Sequence, residues 1–271
     1  MKPIVTFVAL LWSLAFAPVP PADAPDLPGG DPVQAALDGL IRAATGTDWP
    51  SELAARKALA SLGPEAVPKV AEAARSHGAA RVRRACYELL TDAFAKDERA
   101  IDTVVRYGLG DRDPGIRYHC AFLLGDLKVQ RAEPALRAAL KGATGKDDEL
   151  LRFTLSKSLA QLGQADVLPT LFVAVSGDYF MARHVGNIGL KALSGKNLED
   201  FEGYHYAEGA FVSGGKEASF PVDAITAAEK KAQRFQAATA YFKWLKAERP
   251  ELYKYVTYRP RRLTAERREE G

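Results

Sequence analysis

Apolar residues at Leu62, Phe94, Leu127, Leu162 and Leu193 recur at intervals of 32, 33, 35 and 31 residues. A period of this size restricts the chain to folds in which one small unit stacks on the next. Ten residues before four of these anchors stands an arginine: Arg84, Arg117, Arg152 and Arg183. The first unit has Glu52 there, a departure expected of a terminal unit. A second apolar column follows each anchor at Val70, Ile101, Leu136 and Leu171, with Ala74, Val105, Leu140 and Val175 four residues further on. That spacing is helical. Pro68, Pro134 and Pro169 stand two residues ahead of the second column, where a first-turn proline costs no hydrogen bond and presets φ. Gly63 and Gly163 follow their anchors and suit a left-handed helix end. Each unit reads as helix, tight turn, helix.

The pattern Asp113, Ile116, Arg117, Ala121, Leu124 and Leu127, followed by Pro134 and Leu136, resembles the HEAT-like repeats also found in phycobilisome-lyase relatives. The resemblance covers residues 51–198, just over half the chain, and LKALSGKN at its end is similar to the closing segment of exported bacterial HEAT-like proteins. It implies an all-α fold, an α-α superhelix or solenoid of about five helical hairpins that bury a continuous core only by stacking. Capping helices are expected at both ends. Residues 32–44 repeat apolar side chains at Val33, Ala36, Leu37, Leu40 and Ile41, an N-terminal cap. At the other end, Thr226 and Glu229 make a capping box, and Ala228, Ala232, Phe235, Thr239, Phe242 and Leu245 form the stripe of a helix that closes the stack within residues 223–258.

Outside the repeats, Lys2 and the apolar run of residues 4–14 describe a secretory signal peptide, residues 1–15, cut after Ala15. Export is the expectation, with tethering by an uncleaved signal anchor as the alternative. Residues 16–31, rich in proline and glycine, read as a spacer, and no later run is long and apolar enough to span a membrane. Residues 199–222 break the period as a loop containing Tyr204, His205 and Tyr206, with a turn at Ser213, Gly214 and Gly215. Residues 259–271 are an arginine-rich tail. With 37 basic against 34 acidic residues, the charge balance gives no nucleic-acid footprint.

The stretch DPGIRYHCAFLLGDL, residues 113–127, has the residue types of a hydrolase site. Adjacent helical residues diverge by about 100°, so His119 and Cys120 cannot act as base and nucleophile. Asp113 and Asp148 recur at first-helix starts, with Asp178 one position off, and read as caps. Cys86 and Cys120, the two cysteines, lie on adjacent first helices and read as buried thiols, with a disulfide the alternative that export permits. His77, His119, His184 and His205 lack paired ligand spacing, so no metal is expected, and nothing points to a cofactor. GAFVSGGKE fails as a phosphate loop because Ala210 and Glu217 occupy its glycine and Ser/Thr places. Arg75, Arg106 and Lys141 fall one residue past the inner column. They complement helix dipoles or, if second helices line the concave face as the resemblance implies, form a basic ridge for an acidic partner. The expected function is therefore a non-catalytic, exported and monomeric protein-interaction scaffold. The alternative is an enzyme or carbohydrate-binding module using the loop 199–220.

Overall fold

The computed structural model describes residues 31–201 and 227–256, and these form twelve α-helices joined by turns and 3₁₀ segments, with no strand among them. In chain order they are α1 (Pro32–Gly46), α2 (Trp49–Ser61), α3 (Val67–Ser76), α4 (Ala80–Asp92), α5 (Glu98–Tyr107), α6 (Pro114–Asp126), α7 (Glu133–Gly142), α8 (Glu149–Gln161), α9 (Leu168–Ser176), α10 (Phe180–Ser194), α11 (Ala227–Glu248) and α12 (Pro250–Tyr253). From α2 to α9, helices of thirteen residues alternate with helices of nine or ten. The anchors Leu62, Leu127 and Leu162 end α2, α6 and α8, and the prolines open α3, α7 and α9. Asp31, Asp48, Asp97 and Asp113 cap α1, α2, α5 and α6 by accepting from first-turn amides.

α1 packs on α2 and α4, α3 on α4 and α5, and α6, α8 and α10 lie side by side in that order. One apolar core runs through them, from Leu40 and Leu59 through Val70, Leu90, Val104, Leu124, Leu136, Leu159 and Leu171 to Tyr241 and Leu245. No helix among the described residues is long and apolar enough to cross a membrane.

Several expectations need correction. Leu127 is 40% exposed while Phe94 and Leu162 are buried, so the anchor is not a uniform core position. Leu62, Leu127 and Leu162 are the C-cap residues of α2, α6 and α8, and the corresponding cap of α4 is Ala93, not Phe94. What recurs is a helix end. The next residue turns left-handed at Gly63 (φ 77°) and Gly163 (φ 87°), and in the third unit Lys128 adopts the same turn (φ 51°) without glycine.

Counting ten back from Ala93 gives Arg83, and Arg83 does what the arginine column does elsewhere. Its Nη1 donates to the carbonyls of His77 and Gly78. Arg117 donates to Asp111 and Arg112, Arg152 to Ala143 and Gly145, and Arg183 to Gly177 and Asp178. His77, Ala143 and Gly177 are C-caps of α3, α7 and α9, and Asp111 ends the 3₁₀ turn that follows α5. Each arginine thus binds the carbonyl-rich, partly negative end of the preceding short helix to the start of its own. Arg84 is exposed and among the described residues pairs only with Glu88 one turn on.

The remaining corrections are local. Asp148 occupies the cap position of α8, but its carboxylate accepts from the Gly145 amide behind it instead of from the helix. On α11 the buried face carries Ala237, Ala238, Tyr241 and Leu245, while Ala232 is exposed and Phe235, Thr239 and Phe242 are only half-buried. The face is rotated because the Tyr241 hydroxyl, 2.7 Å from Ser194 Oγ, is satisfied inside, and its ring meets Phe172 edge-on. α11 therefore packs on α9 and the end of α10. The Thr226 cap and the Ser213–Gly215 turn lie outside the described residues.

Candidate functional site

Arg75, Arg106 and Lys141 stand in the last turns of α3, α5 and α7, all exposed. Between the ends of α3 and α5 opens a pocket of about 280 Å³, lined by Arg75, Ser76, Tyr107 and Arg112, with Arg83 and Asp111 also in its wall. The Arg83 fork donates to both Asp111 oxygens at 2.6 and 2.8 Å, and this pair is buried. Asp111 also accepts the Asp113 amide. Despite its burial, the Arg83 bonds hold the Asp111 carboxyl below the usual carboxylate range. Inside the pocket wall charge cancels; at the rim Arg75 is paired with Glu72, and Arg112 has no acidic partner among the described residues. Arg75 lies 5.4 Å above the exposed Tyr107 ring and pairs with Glu72, and Arg112 donates to the Gly78 carbonyl at 2.6 Å. The pocket favours an anionic group. Tyr204, His205 and Tyr206 lie outside the described residues.

A second polar region, not foreseen from the sequence, covers the longer helices. Arg56 on α2 pairs with Glu88 (2.7 Å) and Asp92 (3.0 Å) on α4, and Arg84 donates to Glu88 at 2.9 Å. His119, the member of the 113–127 stretch without a repeat role, places Nε2 at 3.6 Å from Glu88 with no hydrogen bond among the described residues. Burial lowers its pKa, which favours the neutral imidazole. Beside these, Trp49, Glu52, Arg81, Arg84, Ala85 and Glu88 enclose about 340 Å³. Further along, Lys157 is fully buried, pairs with Asp126, donates to the Phe122 carbonyl at 3.2 Å and sits 3.5 Å from the Phe122 ring centre.

Burial lowers the Lys157 pKa below its ordinary 10.5. Between the folded pKa and 10.5 the unfolded chain holds the proton more tightly, so stability should rise with pH across that window and level off above it. Lys157→Met is expected to abolish this rise. At neutral pH it should leave stability within about 1 kcal/mol of the parent or raise it, because Asp126 stays partly hydrated. Urea titrations at stepped pH check both statements; a large loss at neutral pH would show that the pair is net stabilising.

Cys86 and Cys120 are free, buried thiols. Burial pushes Cys86 up to about 12 and Cys120 higher still, and Cys120 packs against Gly108 so closely that a Cβ there would lie 2.5 Å from its sulfur. Neither is an activated nucleophile. The native protein is expected to leave a thiol reagent unreacted over minutes and to consume two equivalents once denatured without reductant. Among the described residues no group of three His, Cys, Asp or Glu side chains is placed to hold a metal ion. A scan against protein-family models finds no match for the chain, and a search of curated proteins finds none.

Proposed function

We propose that the chain is a HEAT-like α-solenoid, exported from the cell, that works as a non-catalytic scaffold for protein interaction, and that its basic ridge takes an acidic partner. The observation that carries this reading is the alignment of Arg75, Arg106 and Lys141 at the ends of three successive short helices, next to a pocket rimmed by Arg75 and Arg112. Cations there complement each helix dipole, and in a solenoid, where successive short helices stack in register, they would also sum into a local positive field along one edge. A broad edge of this kind binds through several contacts spread along the stack. Titration with a deca-glutamate peptide tests it. Saturable binding is expected, weakening as salt rises, and R75A/R106A/K141A should weaken it by about tenfold or more, or about 1.4 kcal/mol. Equal binding by parent and variant removes the ridge from the reading.

A further inference from the structure

We propose that the pocket between α2 and α4 binds an acidic sugar unit, a uronate, stacked on Trp49. Trp49 sits in the first turn of α2, which Asp48 caps, lines the pocket and is 55% exposed. Glu52, one turn in, is only 3% exposed, and its Oε2 accepts no hydrogen bond among the described residues, with Arg81 Nη2 at 3.5 Å as its nearest charge. A buried carboxylate oxygen without a donor is costly in an isolated chain and is relieved by a ligand that brings an O–H or N–H. Arg81 and Arg84 are three residues apart on α4 and share a face, so both guanidinium groups border the same space. Arg84 uses Nε on Glu88, which leaves the outer edge of its fork for a ligand.

These features ask for three things of a ligand: a flat apolar face for the indole, a carboxylate for two arginines, and a hydroxyl donor for Glu52. A uronate ring supplies all three. Its C–H face lies on Trp49, its carboxylate accepts charge-assisted bonds from Arg81 and Arg84, and a ring hydroxyl donates to the Glu52 carboxylate. A neutral sugar offers Arg81 and Arg84, which already pair with Glu52 and Glu88, no charged acceptor for their remaining N–H groups. An acidic peptide has the charge, but beyond Trp49 the apolar lining is Ala85 alone, which gives a side-chain anchor nothing to fill. The volume, about 340 Å³, is near the lower limit of small-ligand sites, room for a ring-sized unit.

The test is tryptophan fluorescence and calorimetry on the purified chain with trimers of galacturonate and mannuronate and a hyaluronan tetrasaccharide, against maltotriose and deca-glutamate. At least one uronate probe should bind saturably and at least tenfold more tightly than maltotriose. W49A and R81A/R84A alter exposed side chains, should keep the helical circular dichroism of the parent, and should each weaken that binding at least tenfold. R75A/R106A/K141A should leave it unchanged, which separates this site from the basic ridge. The proposal is overturned if none of the three uronates binds, if W49A binds as the parent does, or if W49A abolishes deca-glutamate binding instead.

Discussion

Arg83→Ala is expected to lower the free energy of unfolding by about 3–5 kcal/mol, the range for removing one partner of a buried ion pair. Arg83 is 2% exposed and closes a bidentate bond on buried Asp111 while its Nη1 holds the His77 and Gly78 carbonyls. Alanine leaves a buried carboxylate without its Arg83 counter-charge and the His77 and Gly78 carbonyls with Arg112 as their remaining donor. The adjacent substitution is the control. Arg84→Ala removes an exposed one-turn pair from a Glu88 that Arg56 still holds, and should cost no more than about 0.5 kcal/mol. Arg83→Lys should fall between the two, since an ammonium keeps the charge but not the fork. Urea unfolding of the three variants measures the contrast, and equal losses at 83 and 84 would refute the arginine clamp.

The second large effect is expected at Gly125, where α6 meets α8. A Cβ on Gly125 would stand 2.6 Å from both the Cα and Oγ of Ser158 and 2.5 Å from Gln161 Oε1. Two of those atoms belong to flexible groups, but the Ser158 Cα is backbone and cannot swing away. Ser158 Oγ also donates across the seam to the Ala121 carbonyl at 2.6 Å, a bond that fails if the helices separate. Gly125→Ala should therefore destabilise by about 1–3 kcal/mol even though alanine favours a helix by about 1 kcal/mol. Gly46→Ala, at the end of α1 with nothing within 4 Å of the added carbon, should instead gain up to about 1 kcal/mol. Thermal unfolding of the pair is expected to give shifts of opposite sign. A stabilised Gly125→Ala protein contradicts that packing.

The helical unit was legible in the sequence because its marks are local. Prolines at 68, 134 and 169 and glycines at 63 and 163 each act within one turn of themselves, so their spacing reads directly. The phase of the arginine column slipped by one at the pair Arg83 and Arg84, because Phe94 is apolar and Ala93, the true cap, is nearly featureless. Only the carbonyls behind the helix tell the two arginines apart. Lys157 and Glu52 carry no local mark of burial; their ion-pair partners, Asp126 and Arg81, stand 31 and 29 residues away, and no local pattern joins them. Tyr241 stood outside the expected stripe for the same reason: its burial depends on Ser194, 47 residues back. The basic ridge was legible because one residue per period marks it, whereas the Trp49 pocket occurs once and has no period.

Affinity capture from the native host, run side by side with the parent chain, R75A/R106A/K141A, and a chain in which residues 202–226 are replaced by a short linker, tests the scaffold reading most directly. The account predicts a protein partner that the parent retains, that the linker chain also retains, and that the triple variant loses. A partner lost with residues 202–226 and kept by the triple variant would contradict it and place the working surface in that segment.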